Sequence, residues 1–553
     1  MRRLLLLLLL VCTCAPAGGV QIVEFCPDPY FSGDPDEYVV LEGRGLLDGY
    51  MVTDREGSFR FPAGSRIDGR VYVARNSLYF EKSHGFLPDF ELYDYSPRVA
   101  DAIRSGDFRL ANAADELILY KGAEIVQQIV WPGDVSPREG RIHFLQDGMW
   151  DPRPLQIGQS RFDPATFEGV TVTAFVSPDC SYDVFHAAVS GATTEILANV
   201  YEFTDLTMAD DLVRARERGA AVTVLLEGGP VGGVSREGKT VSWYMNRTGI
   251  PVYQMTTTDD GHAKYRFNHA KYLVIDRRAV VITSENFKPG GFPPAGGSGN
   301  RGWGVYLEDP GLAAYFAEVF ARDGSGGDIV PAAMAETPYD PPSFAPYTVE
   351  FLPVRVEEAR VTPVLSPDTS HLILEMLERA ESHIAIEQAY IRNASATELN
   401  PFLNAAIDAS RRGVAVRVLL DSSWFNVEGD ADNDEMVALI NRIARQENLP
   451  LEARCADLAA NNLEKIHTKG VIVDGREVLV SSINWNENSP NFNREAGVII
   501  EHPEIGAYFM AAFLDDWDAS RAGAGADDRD YRKIAVGGVV LAALMVVYLR
   551  RHR

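Results

Sequence analysis

The chain has 553 residues, of which 46% are apolar and 24% are charged, the mixture of an ordinary globular protein. This length is enough for several domains with sizeable cores. The formal net charge of −26 argues against a generally basic surface that coats nucleic acid. An anionic substrate is compatible with this charge, because a cleft can be locally positive inside an acidic protein.

The N-terminus is typical of a secretory signal peptide over residues 1–17. Arg2 and Arg3 precede an unbroken run of leucines, and Ala15-Pro16-Ala17 offers small residues for cleavage. Lipid attachment at Cys14 is a weaker alternative, since the residues before it fit a lipobox poorly. The leader predicts that the mature chain is exported.

Residues 20–133 alternate short apolar strands with turns. Runs such as EYVVLEG, VYVARN and ELILYKG are punctuated by Gly, Pro and Asp, which predicts a β-sandwich. Glu37–Leu41, Phe61–Gly64 and Asp115–Tyr120 resemble the lamin-tail domain, an immunoglobulin-like sandwich found in many secreted nucleases and phosphoesterases. The resemblance implies a binding or spacing module, and residues 134–165, rich in Pro, Arg and Gly, are predicted to be a connector.

The remaining chain is predicted to be a duplication, with halves at residues 166–335 and 361–520 and a Pro-rich hinge at 336–360. Four landmarks recur in the same order at a nearly constant offset, as in an internal repeat. They are a Ser-Pro-Asp step (Ser177, Ser366), a helix end with its strand (Arg216, Ala409), the motif described next, and a helix ending in Asp (Asp323, Asp516). Each half alternates strands with amphipathic helices, which predicts two α/β-sandwich halves with pseudo-two-fold symmetry.

Each half carries one HxKxxxxD motif on an apolar, β-branched strand. The motif residues are His269, Lys271 and Asp276 in the first half, and His467, Lys469 and Asp474 in the second. Because residues i and i+2 of a strand share a face, each histidine is expected to project beside its lysine. One such cluster is half a site, and two brought face to face form a whole one.

The strand that follows each motif ends in Ser-x-Asn. These residues are Ser284 and Asn286 in the first half, and Ser482 and Asn484 in the second. The serines either contact phosphate or simply close the strand ends. The motif aspartates are assigned to the catalytic set, although they lie at turns, where they either position the histidines or hold the fold.

Two complete HxKxxxxD motifs followed by Ser-x-Asn, in duplicated halves, resemble the phospholipase D superfamily over about residues 171–520. The resemblance implies a phosphodiesterase with a covalent phosphohistidine, in which His269 is the nucleophile and His467 the general acid. The lysines and asparagines of the two motifs would bind the non-bridging oxygens. No metal and no other cofactor is implied.

One position departs from the pattern of this family. In the family, a carboxylate near the position of Glu495 fixes the tautomer of its own copy's histidine, which here is His467, and the second half has Glu495. The first half has Gly302 where the matching Glu would stand. Its candidate replacements are Asp276, Glu308 and Asp309.

Three cysteines lie beyond the leader, an odd number without metal-ligand spacing. They are Cys26, Cys180 and Cys455. Zinc is therefore not expected, and any disulfide pairing is left open.

The C-terminus predicts a transmembrane helix over residues 534–549, which are apolar and precede Arg550-Arg551-His552-Arg553. The run is roughly 24 Å long at 1.5 Å per residue, against about 30 Å for a bilayer core. The flanking arginines favour a span over a buried terminal helix. With the leader, this predicts a single-pass protein of the cell membrane, with its body extracytoplasmic and its tail cytosolic.

The leading hypothesis is a membrane-anchored, metal-independent phosphodiesterase that hydrolyses or transfers phospholipid headgroups. An extracellular endonuclease acting on DNA or RNA is the alternative, because lamin-tail modules accompany nucleases. A catalytically inactive scaffold is a third, opposed by the completeness of both motifs. A monomer suffices, since both motifs lie in one chain.

Overall fold

The computed structural model describes residues 19–131, 139–151, 153–393, 395, 398–429 and 432–522. The predicted signal peptide lies outside these residues. The first part of the described chain contains thirteen strands and one helix. They are β1 Gln21–Cys26, β2 Tyr38–Leu46, β3 Tyr50–Thr53, β4 Gly57–Arg60, β5 Arg66–Ala74, α1 Ser77–His84, β6 Phe90–Glu91, β7 Ala100–Asp101, β8 Ile103–Gly106, β9 Asp115–Lys121, β10 Glu124–Trp131, β11 Arg141–Gln146, β12 Met149–Trp150 and β13 Leu155–Gln156.

These strands form two sheets, one of eight strands and one of five, that pack on a shared apolar core. Phe25 from the larger sheet and Phe59 and Trp131 from the smaller one are buried in it. The larger sheet extends into the predicted connector, because β11 pairs with β1 and buries Ile142 and Phe144. The Pro- and Gly-rich composition around these strands concealed their alternation.

The first repeat contains eight strands and four helices, and the second contains seven strands and five helices. The elements of the first are β14 Phe167–Ser177, α2 Ser181–Ser190, β15 Glu195–Val200, α3 Leu206–Glu217, β16 Ala221–Glu227, α4 Arg236–Arg247, β17 Val252–Met255, β18 Lys271–Ile275, β19 Ala279–Thr283, β20 Gly302–Glu308, α5 Pro310–Asp323 and β21 Ile329–Pro331. Those of the second are β22 Val354–Ser366, α6 Leu372–Glu378, β23 His383–Gln388, α7 Pro401–Arg411, β24 Ala415–Leu420, α8 Asn433–Glu447, β25 Leu451–Cys455, β26 Lys469–Val473, β27 Glu477–Ser481, α9 Asn488–Asn491, β28 Glu495–Glu501 and α10 Pro503–Ala522.

The fifteen strands of the two repeats form one sheet with the order β21-β17-β16-β15-β18-β19-β20-β14-β22-β28-β27-β26-β23-β24-β25. The order reads the same from either end except for the extra strand β21, so the predicted duplication is visible in the topology. The antiparallel pair β14 and β22 joins the halves, and β20 packs across β27. This arrangement confirms the predicted mixed α/β fold.

Among the described residues, no helix is long and apolar enough to cross a membrane. The longest, α10, has 20 residues but carries Asp515, Asp516 and Asp518 within the fold. The prediction of a single-pass protein of the cell membrane is corrected by this finding. Residues 534–549, to which that prediction assigned the span, lie outside the described part of the chain.

Candidate active site

The two motif strands are fully buried, which explains their β-branched sequences. Every residue of β18 and of β26 is buried, and each motif histidine lies two residues before its strand's first lysine. Lys271 donates to the carbonyl oxygen of His269 at 2.7 Å, and Lys469 to that of His467 at 2.5 Å. The i, i+2 spacing therefore brings each ammonium beside its histidine, as predicted.

Each histidine is attached to the other half through its backbone. The N–H of His269 donates to the carbonyl of Arg494, and the N–H of His467 donates to that of Arg301, both at 2.8 Å. Arg494 and Arg301 in turn donate to carbonyls that lie just before the opposite motifs. These four reciprocal bonds bring the two motifs together in one site between the halves.

Glu495 holds the imidazole of His269. Its Oε2 lies 2.7 Å from Nδ1 of that ring, and Ser482, Ser489 and Asn493 also donate to the carboxylate. Burial alone would raise the pKa of Glu495, but His269 and the nearby lysine lower it overall. An ionised carboxylate can only accept, so Nδ1 carries the proton and Nε2 of His269 keeps its lone pair.

Glu285 approaches His467 in the corresponding way. Its Oε1 lies 3.3 Å from Nδ1 of His467, and Asn300 donates to its other oxygen at 2.9 Å. Glu285 lies between Ser284 and Asn286, and the sequence analysis missed it. The sequence does show one sign of it: Glu285 is the middle residue of the Ser-x-Asn step, where the second half has Ile483.

Burial and neighbouring charges shift the titration of the cluster. Burial lowers the pKa of His269, and burial followed by Lys469 and Lys465 places the pKa of His467 well below its ordinary value. Burial also lowers the pKa of Lys271 to about 8. A bound phosphodiester adds negative charge and shifts all these pKa values upward.

The amides and serines of the Ser-x-Asn steps lie at the edge of this cluster. The side-chain amide of Asn286 donates to Glu202 at 3.5 Å. The buried side-chain oxygens (Oδ1) of Asn286 and Asn484 have no hydrogen-bond partner in the described structure. The hydroxyl of Ser284 accepts from the N–H of Trp303, so it closes the strand end. Ser482 accepts from the N–H of Ala496 in the same way, and it also donates to Glu495 and supports the carboxylate.

The motif aspartates lie away from the histidines, which corrects their assignment as catalytic residues. Asp276 follows the far end of β18, roughly 16 Å of strand from Lys271 at about 3.3 Å per residue. It accepts from the backbone of Thr193 and Thr194, and Asp474 accepts equivalently before β23. Of the two alternatives for these aspartates, the geometry supports holding the fold.

The other candidate replacements for a carboxylate at Gly302 are wrong for the same reason. Glu308 pairs with Arg355, and Asp309 caps α5 through the N–H of Leu312. Neither side chain contacts a motif histidine in the described structure.

Two buried arginines connect the site to the repeat landmarks. Arg301 donates to Asp179 at 2.8 Å and to Asp516 at 2.7 Å. Arg494 makes the matching contacts with Asp368 and Asp323, both at 3.0 Å. Each arginine binds the Ser-Pro-Asp carboxylate of its own half and the helix-end carboxylate of the other.

The described residues contain one group of acidic side chains close enough to share a cation. It comprises Glu91, Asp94 and Asp101 and belongs to the N-terminal sheets, not to the histidine cluster. At the candidate site the carboxylates contact imidazoles, and ammonium groups surround them. This donor set suits an anion.

The two repeats match a known protein family. A family model described as "Cardiolipin synthase, PLD-like domain" matches residues 186–324 and 373–517. Mitochondrial cardiolipin hydrolase of Danio rerio is 29% identical over 110 residues, or 20% of this chain and 42% of that protein. The chain therefore spans less than half the length of this curated relative.

Solved structures found similar to this chain include phosphatidylserine synthase of Haemophilus influenzae, with 13% identity and a TM-score of 0.46 over 63% of this chain and 86% of that one. Nuc of Salmonella typhimurium, a phospholipase D family member, has 25% identity and a TM-score of 0.24 over 30% of this chain and 98% of that one. The family match begins at residue 186. The lamin-tail resemblance of the N-terminal region accordingly stays a prediction.

Proposed function

Because this chain belongs to the phospholipase D superfamily, we propose that it is a phosphodiesterase that hydrolyses phospholipid headgroup esters through a phosphohistidine on His269. The observation that carries the proposal is the contact between the halves in which Glu495 of the second half binds the imidazole of His269 of the first. That contact leaves Nε2 of His269 with a lone pair that can attack phosphorus.

The proposed reaction has two steps. Nε2 of His269 forms a bond to phosphorus while the bond to the leaving oxygen breaks, and a protonated His467 gives that oxygen its proton. Water then attacks the phosphohistidine, His467 takes a proton from the water, and the P–N bond breaks. Lys271 and Lys469 would stabilise the non-bridging oxygens, where charge accumulates in the transition state.

Lipid as the substrate is supported by an apolar rim of three exposed side chains, Val231, Trp424 and Phe425. Their exposed fractions are 82%, 68% and 51%. The loop of Val231 adjoins the first motif, because its N–H donates to the hydroxyl of Tyr201, whose ring packs on His269 at 4.5 Å. Exposed aromatic and apolar groups beside a polar site suit contact with a lipid surface.

The loop of Trp424 adjoins the second motif. Asp421, which begins this loop, accepts the N–H of Ile466, the residue before His467. Trp303 and Trp485, by contrast, are buried in the core. The apolar rim thus has members on loops beside both motifs.

The test is an assay of the full chain against phosphatidylcholine vesicles, single- and double-stranded DNA, and bis(p-nitrophenyl) phosphate, each with and without EDTA. We expect vesicle hydrolysis that withstands EDTA and is lost in H269A and H467A. Labelled phosphate trapped on the protein should map to His269. Cleavage of DNA with no action on vesicles would replace lipid by nucleic acid as the substrate.

A variant of the apolar rim separates lipid contact from chemistry. W424S/F425S removes two exposed rings whose centroids lie 5.7 Å apart, and it changes no residue of either motif. We expect vesicle hydrolysis to fall about tenfold, since each ring contributes on the order of 1 kcal/mol or more at an interface, with unchanged turnover of bis(p-nitrophenyl) phosphate. Equal rates on vesicles would remove the apolar rim from the argument.

A further inference from the structure

The first half has a carboxylate beside Gly302, the position at which its sequence lacks the glutamate of the second half. Gly302 pairs with Ser177 as Glu495 pairs with Ser366, so Gly302 and Glu495 are equivalent positions of the repeat. A Cβ at Gly302 would lie 2.5 Å from Cγ and 2.9 Å from Cδ of Glu285. The Glu285 side chain therefore fills the volume that a glutamate at 302 would need.

The two halves have exchanged the positions of carboxylate and neutral residue. The first half has Glu285 and Gly302, and the second has Ile483 and Glu495. Each carboxylate nevertheless reaches the histidine of the opposite half, Glu495 to His269 and Glu285 to His467. A carboxylate beside each imidazole is thus preserved although the residue that supplies it has moved along the chain.

Two polar atoms face each other at this position without other partners. Oε1 of Glu285 and Nδ1 of His467 are 3.3 Å apart, and neither has a hydrogen-bond partner in the described structure. Glu285 is only 2% exposed. Buried donors and acceptors are almost always paired, and at 3.3 Å these two atoms lie within reach of one another.

We propose that Glu285 is the positioning residue of the general acid: its carboxylate orients His467 through Nδ1 and supports the protonated ring that donates to the leaving oxygen. The inference rests on the proposed function and adds the division of labour between the two histidines. Nδ1 bound to Glu285 points Nε2 of His467 toward the leaving group, as Glu495 points Nε2 of His269 toward phosphorus.

The surroundings of the two carboxylates agree with different tasks. Glu495 has four donors and stays ionised, which suits a histidine that must remain neutral and nucleophilic. Glu285 has Asn300 alone on its other oxygen, and burial raises its pKa although Lys465, Lys469 and Lys271 oppose this. The proton affinity of Glu285 is therefore closer to that of His467, so the two side chains can share a proton.

The first test is the dependence of E285Q on the leaving group. Glutamine keeps the shape but not the charge, so hydrolysis of an alkyl phosphodiester should fall about 10- to 100-fold in kcat, the lower range for general acid catalysis, with KM little changed. The first-turnover release of nitrophenolate from bis(p-nitrophenyl) phosphate should fall less than about threefold, because this leaving group needs no proton and the later step, in which His467 takes a proton from water, is not included. Equal losses on both substrates would indicate a structural role and overturn the proposal.

The pH profile gives an independent readout. The charged groups facing His467 are Lys469, Lys465, Lys271 and His269, all of which lower its pKa, while Glu285 is the nearby carboxylate. Removing that negative charge lowers the pKa of His467 further, so the alkaline limb of kcat in E285Q should move to lower pH. An unmoved limb would contradict the proposal.

The second test relocates the carboxylate. E285I/G302E reproduces the arrangement of the second half and should recover at least tenfold of the alkyl-ester activity lost in E285I alone. E308Q is the matched control, since Glu308 pairs with the exposed Arg355 and should leave both activities unchanged. If E285Q does not fold, E285I/G302E is the deciding variant. An alkyl-ester activity of E285I/G302E no higher than that of E285I would then overturn the inference.

The two proposals fail in distinguishable ways. A wild-type chain that cleaves no phosphodiester would end the proposed function itself. A wild-type chain that is active while E285Q is indistinguishable from it would end only the role of Glu285.

Discussion

Asp276 and Asp474 show that one motif can combine two separate jobs. His269 and Lys271 lie at one end of β18, whereas Asp276 lies at the other and accepts hydrogen bonds from five donor groups of residues 193–195. These bonds join the turn after β18 to the start of β15, the neighbouring strand. The aspartate therefore fixes the register in which the histidine is presented, without reaching it.

Replacing Asp474 should reduce stability more than activity. In D474A, the N–H groups of residues 381–383 lose their acceptor, and we expect the free energy of unfolding to fall by about 1–3 kcal/mol. Turnover under folding conditions should stay within a few-fold of wild type. Urea denaturation and steady-state assays check both, and a large loss of kcat in a stable D474A would return this residue to the chemistry.

The same variant should differ from wild type in its response to acid. Hydrogen bonds from Ser382 and the backbone lower the pKa of Asp474 to about 2, against an ordinary value near 4. A depressed carboxyl pKa stabilises the fold above the unfolded value and loses this effect as pH falls toward the folded value. The stability gap between wild type and D474A should shrink between about pH 4 and pH 2, and a constant gap would contradict this account.

The ammonium of Lys271 predicts an alkaline limit for the free protein. Its pKa is lowered to about 8 by burial, with Glu495 and Glu202 opposing the shift. We expect kcat/KM to fall above about pH 8, where Lys271 loses the proton that attracts the anionic substrate. In E202Q one of the opposing charges is gone, so the limb should move to lower pH. A limb that stays fixed in E202Q would place its origin elsewhere.

The buried arginines explain why the repeat landmarks are where they are. Arg301 joins β20 to α10, and Arg494 joins β28 to α5, so each arginine connects elements of opposite halves. Both guanidinium groups and all four of these carboxylates are nearly or fully inaccessible to solvent. Such ion pairs are costly to break, because the remaining charges stay buried.

Removing one of these arginines should destabilise the whole unit. R494M leaves Asp323 and Asp368 without their guanidinium, and we expect a loss of about 3–5 kcal/mol in the free energy of unfolding. The control is R411M, which breaks exposed pairs with Asp408 and Glu447 and should cost less than about 1 kcal/mol. Urea midpoints of the two variants that coincide would remove the buried network from the account of stability.

Sequence reasoning predicted the duplication, both motif strands and the pairing of each histidine with its lysine, because these follow from local periodicity and spacing. It missed Glu285, because this carboxylate lies out of register with Glu495 and only the side-chain packing at Gly302 reveals the exchange. It also missed the contacts of Arg301 and Arg494. A repeat shows which landmarks recur but not that each arginine reaches into the opposite half.

The whole molecule behaves as one unit because the halves share a sheet, two buried arginines and a site. Strands β14 and β22 pair over much of their length, and their residues belong to one apolar core that also includes α5 and α10. Separating the halves would expose this core and break both arginine networks. Exchange of halves between two chains is therefore strongly opposed, although each chain contains everything that a swapped dimer would need.

Mixing two inactive variants tests this unity. H269A retains an intact His467 and H467A an intact His269, so a chain-swapped pair would rebuild one complete site from two defective chains. We expect the mixture to show no more activity than either variant alone, after any time of incubation, because β14 and β22 do not separate under native conditions. Activity that grows with incubation would show that the halves exchange between chains, and the same mixture incubated at a mildly denaturing urea concentration serves as the positive control. Recovery in urea but not in buffer is the outcome that a continuous fifteen-stranded sheet requires.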